Sequence, residues 1–228
     1  MMYMFDKNGV LLEIIPRQDI VEAYRTENLG KADTLEVEIR GITKPSVHYI
    51  GHKALNDRFI LYALDSCTQG DTSYTVIALE TAYDELSVDG IVKDIRPNRE
   101  ALSDVLRRIL EGSRWSVGHV YVDAEISTNF YYQNRLECLK QLHDLLDIEF
   151  DFRTTFDGSE ITGRYVDIYR QIGEDRGKRF VHGSNLLQVT REESADNVYT
   201  ALIGRGKGEE LDSGAYGRRI MFDGLEWS

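Results

Sequence analysis

Residues 109–118 read ILEGSRWSVG, and the fold turns on them. A helical apolar period stops there at Gly112, and after two intervening residues Trp115, one of two tryptophans in the chain, opens an apparent strand. A helix terminator followed by a large aromatic predicts a helix-to-strand corner packed by the indole. Just upstream, NREALSDVLRRILEG (98–112) places Leu102, Val105, Leu106, Ile109 and Leu110 on one helical face. Asn98 is the predicted N-cap of this 98–111 helix and Gly112 its C′ residue. Downstream, WSVGHVYV (115–122) is a strand. A second helix starts at NRLE, where Asn134 as N-cap and Glu137 three residues on resemble a capping box. It carries Leu136, Leu139, Leu142, Leu145 and Leu146. IEFDF (148–152) and ITGRYVDIYRQI (161–172) flank the turn FDGSE as a hairpin. Residues 98–172 therefore read as a small α+β insert.

Both flanks read as β structure. GVLLEII (9–15) is an apolar run. TLEVEIR (34–40) alternates strictly, with Leu35, Val37 and Ile39 on one face and Glu36, Glu38 and Arg40 on the other. RFILYALD (58–65) and SYTVIALE (73–80) are strands joined through SCTQGDT, and DGIVKDIRP (89–97) is a short strand closed by Pro97. After the insert, LLQVTREE (186–193) and NVYTALIGRG (197–206) are strand-like, and GRGKGEELDSGAYGRR is a glycine-rich loop. The chain ends on IMFDGLEWS, a last strand with no successor, so the final domain is expected to be incomplete. The expected division is 1–97, a first β-barrel-like domain; 98–172, the α+β insert; and 173–228, a second β-barrel-like domain.

Composition narrows the functional classes. With 228 residues, 42% hydrophobic and 29% charged, the chain has the make-up of an ordinary globular protein. It carries 27 basic against 39 acidic residues, a net charge of −12. Residues 1–163 hold 17 basic and 28 acidic residues, whereas 164–219 hold 10 and 9 and are close to neutral. An acidic surface has no surplus cations to release counterions from DNA, so it can border passing DNA without retaining it. No apolar run approaches the ~18 residues of a transmembrane helix, so no membrane-spanning segment is expected. MMYMFDKNGV carries Asp6 and Lys7 and is no secretory segment. Cys67 and Cys138 lack metal-type spacing; a single disulfide is open to them, and the reading adopted is two small buried hydrophobes.

No stretch of the sequence carries the spacing of a catalytic or metal site. His48 and His52 stand four apart in SVHYIGHKALND, but Gly51 lies between them and no Glu follows the first, so a solvated loop is expected there. His119, His143 and His182 are isolated. GRGKGEE (204–210) lacks the Lys-Ser/Thr that opens a phosphate-loop helix, and its two carboxylates would repel phosphate. FDGSE lacks calcium-loop spacing, and there is no nucleophile elbow. The adjacent acids Asp84-Glu85 and Glu192-Glu193 diverge on helix or strand. No catalytic, cofactor-binding or metal-binding residue is assigned, and no cofactor is expected.

The order of features resembles a known family. ILEGSRWSVG, NFYYQNRLECLKQLHDLLDIEFDF and VHGSNLLQVTREESADNVYTALIGRGKG, with the opening MFDKNGVLLEII and KADTLEVEIRG, are similar to the N-terminal hub region of phage tail-associated lysins, also called prophage endopeptidase tail or phage minor structural proteins. The resemblance spans nearly the whole chain and none of its motifs is catalytic. It implies a mostly β, α+β fold like a baseplate hub, with tail-tube-like β-barrel domains flanking the insert. It implies a homotrimer at the virion tail tip, made in the host cytoplasm. The ring would join tube and tape-measure proteins to the tip, and DNA would pass through its lumen. Cell-wall hydrolysis in such proteins would lie in a C-terminal region beyond Ser228. Trp115 is expected to anchor the 98–111 helix on the sheet of the insert. Two other functions compete: a peptidoglycan hydrolase built from scattered acids, and a carbohydrate-binding tail module using Tyr131 and Tyr132. For that tyrosine pair, packing around the helix start is the plainer reading.

Overall fold

Alternation in TLEVEIR becomes a strand that buries Leu35, Val37 and Ile39 and leaves Glu36 and Arg40 in water. The structure, a computed structural model, describes residues 1–173 apart from 29–30, 43–45 and 55. Beyond them it describes residues 177, 179, 181, 183, 184, 186, 188, 201, 202, 225 and 226. By contacts the chain divides into Met1–Glu174 and Asp175–Ser228. In chain order the first unit runs β1 (Met2–Phe5), β2 (Leu11–Ile15), a 3-10 turn (Arg17–Asp19), β3 (Ile20–Thr26), β4 (Thr34–Arg40), β5 (Tyr49–Lys53), β6 (Phe59–Gln69), β7 (Ser73–Glu80) and α1 (Thr81–Val88). It continues through β8 (Ile91–Ile95), β9 (Glu100–Ala101), α2 (Leu102–Leu110), β10 (Ser116–Val120), β11 (Glu125–Ile126), β12 (Phe130–Asn134), α3 (Arg135–Leu146), β13 (Glu149–Phe156) and β14 (Ile161–Tyr169). In the second unit, β15 (Ala201–Leu202) pairs antiparallel with β16 (Leu225–Glu226).

The long strand β6 is the pivot of a ten-stranded sheet. One of its edges leads through β5 and β1 to β2. Its other edge is shared. Phe59 pairs with Thr154 of β13, whereas Tyr62 onward pairs with β7, which leads through β4 to β3. β13 continues to β14 and to the parallel edge strand β10. The sheet is curled into a half-barrel, and with three α-helices among the described residues the fold is mostly β. One core fills the curl, with Met4, Val37, Ile50, Tyr62 and Val76 at its centre. A second lies under α1, α2 and α3, where Leu102, Leu106, Ile109, Trp115, Leu139 and Ile168 meet. A knot of Tyr3, Phe5, Phe59 and Phe156 rings, edge-to-face at 5.2–5.9 Å between the β1 and the Phe59 or Phe156 rings, ties the β13–β14 hairpin to the N-terminal strands.

Several local expectations are corrected. Asn98 is not the cap of α2. Residues 100–101 pair with β11, so the helix starts at Leu102 with Ala101 as N-cap, and the Leu102 N–H donates to the Ala124 carbonyl at 2.9 Å. A backbone acceptor from the neighbouring strand replaces the side-chain cap. The other end is as expected, with Gly112 at φ +75°. The segment 49–53, expected as a loop, is strand β5. Glycine in its middle hides the strand pattern, and packing requires it, because a Cβ on Gly51 would lie 2.6 Å from the Phe59 ring. SCTQ continues β6, which confines the turn to Gly70–Thr72. Cys67 on that extension is exposed, not buried, while Cys138 is buried as expected. The α3 capping box is present, with the Glu137 N–H donating to Asn134 Oδ1 at 2.8 Å. Leu145 faces water, whereas Leu139 and Leu142 face the core. β1, β3 and α1 were not anticipated. The stretches 186–193 and 197–206 and the glycine-rich loop lie almost wholly outside the described residues.

Candidate functional site

The residues singled out for chemistry do not converge. His48 is exposed ahead of β5; His52, on the strand, stacks on Tyr62 at 6.1 Å, and burial lowers its pKa. His119 is exposed on β10, and His143 sits at the end of α3 with Nδ1 2.5 Å from the Ile148 carbonyl. His182 and Glu192-Glu193 lie outside the described residues. Among those described, no cluster of three or more His, Cys, Asp or Glu side chains is disposed to hold a metal. FDGSE is a turn in which Asp157 Oδ1 accepts the Ser159 and Glu160 N–H groups, and these bonds hold its carboxyl below the usual range. No described helix is long and apolar enough to cross a membrane.

Two charged sites emerge instead, and both depend on α1. In TAYDELSV, Asp84 is exposed while Glu85 shares the inward face of Ala82 and Leu86, so the adjacent acids do diverge. Glu85 is only 3% exposed and gathers donors from three other segments. Its Oε1 accepts from the Tyr49 hydroxyl of β5 at 2.8 Å and from Arg114 at 3.0 Å; its Oε2 accepts from Trp115 Nε1 at 2.8 Å. Arg164 of β14 stands 3.1 Å from Oε2 as an ion pair without hydrogen-bond alignment, and its guanidinium lies over the Tyr49 ring. Burial, and then the Glu85 hydrogen bond, push the Tyr49 hydroxyl up to about 12. Trp115 thus does more than pack the α2–β10 corner. Its indole also touches Phe152 edge-to-face, and its N–H is satisfied by a carboxylate from α1. A carboxylate this saturated orients elements; it has no free face for a reactant.

The second charged site is a cleft of about 300 Å³ where β7 and β13 part from β6. Arg25 pairs with Asp33 at 2.8 Å, and Arg58 clasps both oxygens of Asp151 at 2.8 and 2.6 Å. Glu80 ends β7 beside them. Burial raises its carboxyl to about 7, the Asp33 charge adding to the rise while the Asp33 N–H opposes it. Neither site was foreseen from sequence. The signal for Glu85 was present: a lone acid on the helical face of Ala82 and Leu86. Glu80 sits at a strand end and carried none.

Comparison with known proteins bears on the same region. The family model described as the prophage endopeptidase tail domain matches residues 89–168, from the turn before β8 to the end of β14. No curated protein matches the chain. Among solved structures, the prophage tail protein gp18 from Listeria monocytogenes EGD-e is 13% identical, with a TM-score of 0.37, over 97% of this chain and 66% of that one. The chain therefore spans about two thirds of that protein's length. The likeness is too loose to transfer detail. The family match coincides with the helix–strand corner at Trp115 and with the capping box of α3. Residues 89–168 are thus similar to the prophage endopeptidase tail domain, a domain of phage tail-associated proteins.

Proposed function

We propose that the chain is a structural hub protein of the tail tip: a homotrimeric ring that joins distal tail, tube and tape-measure proteins to the tip and borders the DNA channel. The division into a first barrel-like domain (1–97), an insert (98–172) and a second barrel-like domain (173–228) belongs to this proposal. The observation that carries it is the tail-domain match set on a curled sheet whose last strand, β3, pairs only with β4 among the described strands. Val21 through Thr26 are exposed along it. Such an edge is a liability in an isolated chain and a docking edge in an assembly. The acidic balance suits a wall past which DNA slides, and no hydrolytic chemistry is assigned to these residues. Sedimentation across a salt series tests the reading. A trimer that holds or tightens as salt rises is expected, because screening relieves repulsion between acidic copies. A monomer at every salt concentration, or tight duplex DNA binding at moderate salt, overturns it.

The carbohydrate-binding alternative gains one observation. Tyr131 and Tyr132 do not pack around the helix start; they are 58% and 62% exposed, with rings edge-to-face at 4.8 Å. Tyr132 has φ +49°, a left-handed conformation that interrupts the strand's alternation and lets neighbouring rings both face water. Glycan binding lost on Tyr131→Ala would favour this second reading over the hub alone.

A further inference from the structure

β6 offers one edge to two strands that then diverge, and the cleft between them is floored by Phe59, Ile60, Leu61 and Tyr62. Its charged walls do not balance. Arg25 and Arg58 face Asp33, Asp151 and Glu80, two cations against three carboxylates. Asp33 and Asp151 take the two guanidinium groups. Among the described residues Glu80 makes no ion pair within 4 Å, Arg58 acting on it only through space, and its hydrogen bond is a long one, from the Asp33 N–H at 3.5 Å. Tyr62 lines the same cleft at 0% exposure, and its hydroxyl makes no hydrogen bond. Arg25 approaches that hydroxyl without strict hydrogen-bond geometry, and Asp33 and Glu80 are near enough for their charges to act on it. An unpaired carboxylate and an orphan hydroxyl at one end of a small cavity are costly unless a donor meets both. Leu61 and Ala82 supply apolar walls beside them.

We propose that this cleft binds a primary ammonium group on a slim aliphatic stem, with Glu80 as its counter-ion and the Tyr62 hydroxyl as a second acceptor. One positive charge brings the cleft to neutrality, and an anion is disfavoured because both arginines are already held by acids and a third carboxylate would repel it. A methylene stem suits the volume, at the lower end of ligand pockets. The chemistry is shared by a free alkylamine and by a lysine side chain of a partner protein. The inference concerns a single chain and is independent of ring assembly. Glu80 loses its charge near neutrality while an alkylammonium keeps its own, so the two bind best on the alkaline side. Affinity should fall about tenfold from about pH 8 to about pH 6, following the ionised fraction.

The test is an NMR titration of the Glu80 carboxyl carbon in the full chain, with n-butylammonium chloride, with Nα-acetyl-lysine amide, and with potassium chloride at equal ionic strength. With amine at about ten times its dissociation constant, the Glu80 midpoint should drop by about one unit, and potassium should not reproduce the drop. Binding of both amines assigns the site to a lysine side chain; binding of butylammonium alone assigns it to a small amine. E80Q should abolish the response, and Y62F, which preserves volume, should weaken it severalfold. If E80Q fails to fold, the wild-type midpoint and Y62F decide. An unmoved midpoint, an equal shift with potassium, or undiminished amine binding to folded E80Q overturns the proposal.

Discussion

Replacing Glu80 with Gln should change how the stability of the fold depends on pH. In the folded chain burial carries this carboxyl from its ordinary 4.5 to about 7. A group with a raised folded pKa takes up protons on folding between the two values. Its contribution is therefore most favourable below about 4.5 and is lost as pH rises through about 7. The gap of about 2.5 units corresponds to about 3 kcal/mol, at 1.36 kcal/mol per unit. Gln keeps the shape and an oxygen for the Asp33 N–H but carries no charge to desolvate. Wild type should thus lose about 3 kcal/mol relative to Glu80→Gln between about pH 4.5 and about pH 8. Urea unfolding of both proteins at several pH values measures this, and the difference between them cancels every other titrating group. If the two stability curves run parallel, Glu80 is not a desolvated carboxylate without an ion pair, and the cleft reading falls with it.

Leu106, with no exposure on the buried face of α2, should cost about 2–5 kcal/mol as Leu106→Ala, and Trp115→Ala about 3–5 kcal/mol. Chemical denaturation checks both, and losses under about 1 kcal/mol at each would refute the packing. Glu85→Gln turns an amide nitrogen either toward the Tyr49 and Arg114 donors or toward the Trp115 indole N–H, removes the charge beside two arginines, and should cost on the order of 3–5 kcal/mol, read as a lower thermal midpoint. Purified Gram-positive cell wall incubated with the chain should release neither peptide nor reducing sugar; turnover abolished by a single acid substitution would make the chain an enzyme.

Local periodicity was enough for much of this molecule. The face of Leu102, Leu106 and Ile109, the end of α2 at Gly112, the Asn134–Glu137 box and the alternation of β4 are written in residues close together in sequence. Short-range sterics and hydrogen bonding enforce them whatever the rest of the chain does. Elements that draw their stability from distant partners left no such mark. β3 is exposed on both faces and holds its place by pairing with β4; β5 carries Gly51 because Phe59 packs against it; and α2 starts at Leu102 because Ala124, far along the chain, supplies an acceptor. The same division holds for the charged sites. A sequence can show a lone acid on an apolar helical face, as at Glu85, but not which hydroxyl, indole and guanidinium groups come to meet it. Glu80 became a half-buried carboxylate without an ion pair only when β7 and β13 parted from β6 and the neighbouring acids took the two arginines first, because charge balance inside a cleft belongs to the assembled walls and not to any one of them.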